Sequence, residues 1–387
     1  MTATTDAPLA AAIRDAHVLV TTGSGGVGKT TSAAALGLAA AREGRRTLVL
    51  TIDPARRLAQ AMGLDALDDD PRQVPLPDDV PGELHAMMLD MQTTFDRLID
   101  RHATSLSNAQ AIKGNRIYRT LSSTLSGTQE YMAMERLHEL HETGEWDLLV
   151  IDTPPTRSAL DFLDAPKRMT SFLDGRLLRL LLKPSMAAGR GVGRVVGFGA
   201  TAFMRVAGRV TGMDLLEDLA DFFRNFEGMY DGFKERAEQV VALLQDPASR
   251  FVVVTSPEPP PLREARYFLE RLEQEGLHAA GLVVNRVRPE VPRDPSDAQI
   301  ERAVAALRGD GPDTHAEVAR TDHAVAGALT LLGDVRNLAA RQRRDVQAAL
   351  YGVHVPTVVE VPLLGGDVHD LDGLSQIAAT LTNGSAR

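Results

Sequence analysis

The chain has 387 residues, 44% hydrophobic and 24% charged, with 42 lysines and arginines against 52 aspartates and glutamates and a net charge of −10. That is the composition of a globular protein with apolar residues enough for a large core, and the acidic balance argues against nucleic-acid binding through bulk charge. There is no cysteine, which excludes disulfide frameworks, thiolate zinc sites, cysteine-ligated iron–sulfur clusters and cysteine nucleophiles.

The N-terminal MTATTDAPLAAAIRDAH has no basic segment followed by an apolar run and does not read as a secretory signal. No uninterrupted apolar stretch reaches the ~18 residues of a membrane-spanning helix. The cytoplasm is the expected location, with a peripheral membrane position as an alternative.

Short apolar runs rich in β-branched residues predict strands at 17–22 (HVLVTT), 47–52 (TLVLTI), 148–152 (LLVID), 251–256 (FVVVTS), 281–285 (GLVVN) and 357–361 (TVVEV), with 82–89 (GELHAMML) a weaker candidate. The runs are nearly continuous, not alternating, as in parallel strands buried on both faces. Helical stretches separate them, which implies βαβ units. After the first strand a glycine-rich loop opens KTTSAAALGLAAAREG, a predicted helix that Gly44 stops.

The strand signal disappears over about 96–144 and 166–245, which read as a helical insert. A third helical stretch covers 295–350, where spacing places Val335, Leu338, Ala339, Val346 and Leu350 on one helix face. The expected fold is α/β: a doubly wound, mostly parallel sheet flanked by helices, with a helical insert subdomain. It is read as one domain, with a core at about 15–95, 145–165 and 246–387.

Gly23-Ser24-Gly25-Gly26-Val27-Gly28-Lys29-Thr30 fits G-x-x-x-x-G-K-[ST] in full, after a strand and before a helix. The backbone N–H groups of such a loop wrap phosphates, and the helix N-terminus favours negative charge. Lys29 brings a cation to the β- and γ-phosphates, the Thr30 hydroxyl is placed for Mg²⁺, and Thr31 completes the nucleotide-binding set. The expected fold is therefore of the P-loop NTPase class, its core is the nucleotide-binding part, and ATP and Mg²⁺ are the expected cofactors.

Phosphoryl transfer also needs a carboxylate for the metal and a group that orients water. Asp152 ends the run DLLVID and Asp53 follows TLVLTI, so both belong to the carboxyl edge of the sheet, where ligands of open α/β folds gather.

Five blocks in this order carry a resemblance: GSGGVGKTT (23–31), TIDPARRLAQAMG (51–63), DTPPTRSALDFLD (152–164), VVNR (283–286) and VPLLGGDV (361–368). The chain resembles the ArsA-like ATPases, which include the arsenite-pump ATPase and the guided-entry ATPase of tail-anchored proteins, within the deviant-Walker class. It is most similar to the bacterial, especially actinobacterial, anion-transporting ATPases. The resemblance implies that Asp53 sits in switch I and polarises the attacking water. It implies that Asp152 opens switch II and holds the Mg²⁺ sphere through water. Asn285 would bond the adenine edge, and Pro362-Leu363-Leu364 would pack beside the base. It further implies that two subunits close over two ATPs and pass the movement to the helical insert, acting on a membrane protein, a hydrophobic client or a partner subunit.

The sequence departs from the family at several points. The signature lysine at the second P-loop position is Ser24, and the usual DTAPTGH block has Pro154, Arg157 and Ser158 in place of its alanine, glycine and histidine. Without cysteine, thiolate binding of arsenite and a CxxC zinc clip are chemically excluded. A serine cannot supply the trans charge that the lysine gives the opposite ATP. A heterodimer with a paralog that keeps the lysine is favoured over a homodimer in which Arg56, Arg57 or Arg157 compensates.

Two other functions remain as alternatives. One is a regulatory or scaffold subunit that hydrolyses poorly alone. The other is a partition- or septum-type ATPase, against which the acidic balance and the non-basic C-terminus LSQIAATLTNGSAR argue. Residues 186–213 mix apolar residues, glycine and four arginines, and fit either a client or membrane element or an ordinary helix pair. His138-Glu139-Leu140-His141 has the wrong spacing for a zinc protease and reads as a solvated helix. Asp68-Asp69-Asp70 reads as a solvated loop.

Overall fold

A computed structural model of the chain describes residues 9–53, 56–116, 128–153, 229–308 and 316–383, with the single positions 118, 218, 221, 222 and 225. Its strands are β1 (Val18–Thr22), β2 (Arg46–Thr51), β3 (Arg72–Gln73), β4 (Glu83–Met88), β5 (Leu148–Asp152), β6 (Ser249–Thr255), β7 (His278–Val287) and β8 (Val358–Pro362). They form one eight-stranded sheet in the order β3-β4-β2-β5-β1-β6-β7-β8. Every neighbour pair is parallel except β3 with β4. All seven runs read as strands are present. The short antiparallel β3 was not legible, because two exposed residues, Arg72 and Gln73, give no apolar signal.

Alternate residues of the central strands feed two cores, one on each face. Val18, Val20, Leu48, Leu50, Ile151, Phe251, Val253, Leu282 and Val284 face one side. Leu19, Val49, Val150, Val252, Val254, Val283 and Val359 face the other. Both faces are apolar, which is why the sequence runs are continuous.

On the second face lie α1 (Ala10–Asp15), α2 (Lys29–Arg42), α3 (Arg57–Ala61) and α11 (Leu371–Asn383). Helix α2 is rich in alanine and is buried along most of its length. Gly37 lets it lie against the sheet, since a Cβ there would come within 2.5 Å of the Val49 side chain. As expected, α2 ends at Gly44, which has φ +85°.

The first face is covered by α4 (Met91–His102), α5 (Leu106–Gly114), α6 (Thr128–Glu142), α7 (Tyr230–Gln245) and α8 (Pro259–Gln274). The described parts of the predicted insert are thus helical. Residues 154–217, including Pro154, Arg157, Ser158 and the segment 186–213, lie outside the described residues.

The third helical stretch forms α9 (Asp297–Arg308) and α10 (Ala316–Leu350). Its inward face matches the one expected at Ala339 and Val346 and differs from it at Leu338. Arg336, Ala339, Gln342 and Val346 are buried, whereas Leu338 is 40% exposed. Two polar residues turn inward because they hold the chain between β7 and α9. Arg336 Nη1 donates to the Pro295 carbonyl at 2.6 Å, and Gln342 Oε1 accepts from Arg288 N at 3.2 Å. Apolar spacing alone cannot register such anchors.

Asp69 also departs from the solvated-loop expectation. Its side chain is buried, pairs with Arg97 at 2.8 Å and accepts from Asp90 N at 3.2 Å. It ties the loop before β3 to the start of α4. His138 is likewise largely buried, 3.7 Å from the Glu142 carboxylate.

Candidate functional site

The site residues converge because their strands are parallel and in register. Thr21 of β1 and Thr51 of β2 are both paired with Asp152 of β5. All three strands therefore deliver their carboxyl ends to one edge, and β1 runs directly into the glycine-rich loop.

That loop, residues 23–28, is shaped by two close approaches. Gly23 has φ +151°, and a Cβ on it would stand 2.0 Å from the Val254 carbonyl oxygen. Gly28 has φ +98°, and a Cβ there would stand 2.2 Å from Asn285 Nδ2. Neither position tolerates a side chain. Helix α2 starts at Lys29, so its first N–H groups open toward the loop.

Lys29 folds back over the loop, and its Nζ donates to the Gly23 and Ser24 carbonyls, each at 2.9 Å. Burial lowers its pKa, while Asp152 and Asp53 pull it upward. Phosphate oxygens arriving in the loop would take over these bonds with full charge complementarity. The Ser24 hydroxyl is buried with no hydrogen-bond partner.

Asp152 is fully buried at the end of β5. One carboxylate oxygen, Oδ2, accepts from Thr30 Oγ1 at 2.8 Å and from Thr51 Oγ1 at 2.9 Å. The other, Oδ1, is buried without a partner. Burial pushes the carboxyl up to about 6, against the downward pull of the two threonines and Lys29. A buried, unsatisfied carboxylate oxygen is costly unless something polar meets it. A hydrated Mg²⁺ fits that position. With its proton turned to Asp152, the Thr30 hydroxyl keeps lone pairs for the metal. Among the described residues no three acidic or imidazole groups converge on one metal position. One hydroxyl, one carboxylate and the phosphates are the set that Mg²⁺ uses beside a nucleotide.

Asp53 follows β2, and its backbone N–H donates to Thr51 Oγ1 at 3.2 Å. Thr51 thus links both carboxylate positions, a role that sequence reasoning missed although the residue lies in a quoted block. A polar residue ending an otherwise apolar strand was the available signal. Arg57, at the start of α3, is close enough for its charge to lower the Lys29 pKa. Pro54 and Ala55 lie outside the described residues.

At the end of β8, Pro362 pairs with Val287 of β7, and Leu363 N donates to the Val287 carbonyl at 2.8 Å. Leu363 is 43% exposed. Asn285 is 8% exposed and engaged on both amide groups. Its Nδ2 donates to the Val27 carbonyl at 2.8 Å, and its Oδ1 accepts from Arg286 N at 2.9 Å. The second Nδ2 hydrogen and the second oxygen lone pair remain for another partner.

A separate cavity of about 340 Å³ lies between α4, α6 and α7, lined by charged residues that include Arg97, Arg101, Glu135, Glu139 and Arg236. It shares no residue with the phosphate loop.

Sheet order, loop and paired carboxylates together define a P-loop NTPase. The family model of the anion-transporting ATPases matches residues 16–306, and the chain belongs to that family. An uncharacterised protein of Streptomyces coelicolor is 32% identical over 76% of this chain and 67% of its own. An arsenical pump-driving ATPase of Aquifex aeolicus is 24% identical over 71% of this chain and 64% of its own. An ASNA1 ATPase homologue of Paramecium tetraurelia is 30% identical over 39% of this chain and 44% of its own. The chain thus spans about two thirds of the length of the first two relatives.

Proposed function

We propose that the chain is a Mg²⁺-dependent ATP-hydrolysing switch that closes as a dimer on ATP and acts on a membrane-protein, hydrophobic client or partner subunit. One observation supports the chemistry above all: Thr30, Asp152, Thr51 and Asp53 form a continuous hydrogen-bonded chain beside Lys29. In this reading the loop N–H groups and Lys29 hold the phosphates. The Thr30 hydroxyl and, through water, the Asp152 carboxylate would hold Mg²⁺, and the buried, unpartnered Asp152 Oδ1 supports this. The metal, when bound, neutralises charge on the phosphate oxygens. Asp53 orients the attacking water, and Thr51 fixes its distance from the metal side. Asn285, Pro362 and Leu363 take the adenine.

Such a switch works only if ATP binds one arrangement better than another. Helices α4 to α7 are the described part of the insert and pack on the sheet, which is where a client would feel the change. Among the described residues no helix is long and apolar enough to cross a membrane.

The missing P-loop lysine bears on the dimer. A trans cation contributes about a thousandfold or more to phosphoryl transfer, and Ser24 has none. We therefore favour a heterodimer with a lysine-bearing paralog, in which this chain's site fires and the partner's site is slow. Arg56, Arg57 or Arg157 would serve in a homodimer, and the charge of Arg57 reaches Lys29. The test is steady-state phosphate release by the chain alone, with the paralog, and as Ser24→Lys. A slow isolated chain, strongly accelerated by the paralog, supports the heterodimer. Full activity of the chain alone, unchanged by Ser24→Lys, overturns it in favour of an internal arginine.

A further inference from the structure

Arg286 has an unusual position for a strand residue. It lies near the end of β7 with φ +62°, alone among the described non-glycine residues in having a positive φ. Side chains rarely adopt that conformation unless the surroundings impose it. The register between β7 and β8 shifts at the same place, between Val284 and Val287. The turn of the backbone brings two consecutive side chains onto the same loop. Arg286 Nη1 donates to the Gly26 carbonyl at 2.9 Å, and Asn285 Nδ2 donates to the Val27 carbonyl at 2.8 Å. The Arg286 N–H closes the arrangement by donating to Asn285 Oδ1 at 2.9 Å.

The consequence follows from peptide planarity. The plane that carries the Gly26 carbonyl also carries the Val27 N–H, and the plane of the Val27 carbonyl carries the Gly28 N–H. Across a trans peptide the two groups point in opposite directions. Pulling both carbonyls toward β7 turns the Val27 and Gly28 N–H groups away from it, into the loop. A glycine-rich loop without such ties has many orientations of these planes open to it. Gly28 lacks a side chain where Asn285 Nδ2 approaches, so loop and clamp fit each other.

We propose that Arg286 is a positioning residue for phosphate: with Asn285 it clamps two successive carbonyls and presets two N–H donors for the phosphate chain of the nucleotide. The guanidinium acts through the loop backbone and does not itself read the base. The proposal rests on the nucleotide-site reading above. It also gives Asn285 a second task, so that base and phosphate contacts are joined through one dipeptide.

The test compares the full-length wild type with Arg286→Gly and Arg286→Lys, by calorimetric binding of MgATP and of inorganic tripolyphosphate. Glycine accepts the positive φ and removes only the side chain, so folding should be preserved, and the thermal midpoint checks this. Arg286→Gly should weaken MgATP and tripolyphosphate alike, each by about tenfold, the loss of one charge-assisted hydrogen bond. Arg286→Lys should recover part of that loss, and KM should rise more than kcat falls. Equal affinities in Arg286→Gly and wild type overturn the clamp. So does a loss confined to MgATP, which would make Arg286 a reader of the nucleoside. Failure of the wild type to bind either probe would instead remove the nucleotide-site reading itself, and the clamp with it.

Discussion

Thr51 donates its hydroxyl to Asp152 Oδ2 at 2.9 Å and accepts the Asp53 N–H at 3.2 Å on the same oxygen. A single side chain at the end of β2 therefore ties the Asp152 carboxylate to the Asp53 backbone. Parallel register makes this arrangement, since Thr51 and Asp152 are paired residues of neighbouring strands.

Replacing Thr51 by valine keeps the shape and removes both bonds. The loss should cost about 1–3 kcal/mol of stability, because Asp152 is buried and loses a donor. ATP binding should persist while turnover falls, as the Asp53 backbone is released. Urea unfolding and phosphate-release assays on Thr51→Val check both parts; unchanged turnover would separate Thr51 from the chemistry.

Asp152 predicts a dependence of stability on pH. Its folded pKa, about 6, lies above the ordinary 3.8. The folded state then holds the proton more tightly than the unfolded chain, so stability is lost as pH rises from about 4 to about 6, by roughly 3 kcal/mol in all. Asp152→Asn removes that loss. In metal- and nucleotide-free protein the variant should gain on the wild type between pH 4.5 and 7. Parallel unfolding curves at all pH values would contradict the burial penalty.

These carboxylates also mark how far sequence reading reaches. The strands were legible because both faces of each are apolar, and the P-loop because glycine, lysine and threonine occur at fixed spacing. The placement of Asp53 and Asp152 at the carboxyl edge of the sheet was legible from their positions after apolar runs. The contacts of Thr51 and Arg286 were not, because the Asp152 carboxylate and the Gly26 carbonyl that they reach are distant in sequence, and a polar strand end marks Thr51 without naming its partner. The same holds for Arg336, Gln342 and Asp69, polar residues buried by a partner distant in sequence.

Gly28→Ala should be more damaging than an ordinary glycine substitution. The added methyl meets Asn285 Nδ2 at 2.2 Å, at a backbone φ of +98°. A strain of about 1–3 kcal/mol is expected, together with loss of MgATP binding as Asn285 is displaced. Thermal unfolding and calorimetry check it; an alanine variant with wild-type affinity would mean that the loop adapts freely.

Lys29→Ala removes the cation that now bridges the Gly23 and Ser24 carbonyls. Loss of a charge-assisted contact to the phosphates should weaken MgATP by about a hundredfold or more. Binding of MgATP at wild-type strength would remove the P-loop assignment.

In the proposed switch this edge of the sheet hydrolyses ATP with Asp53 directing the water. Phosphate release and equilibrium MgATP binding, measured side by side for the wild type and Asp53→Asn, test it most directly. The wild type should release phosphate only with Mg²⁺, and Asp53→Asn should keep its ATP affinity while turnover falls by about a hundredfold or more. Asp53→Asn releasing phosphate at the wild-type rate would contradict it.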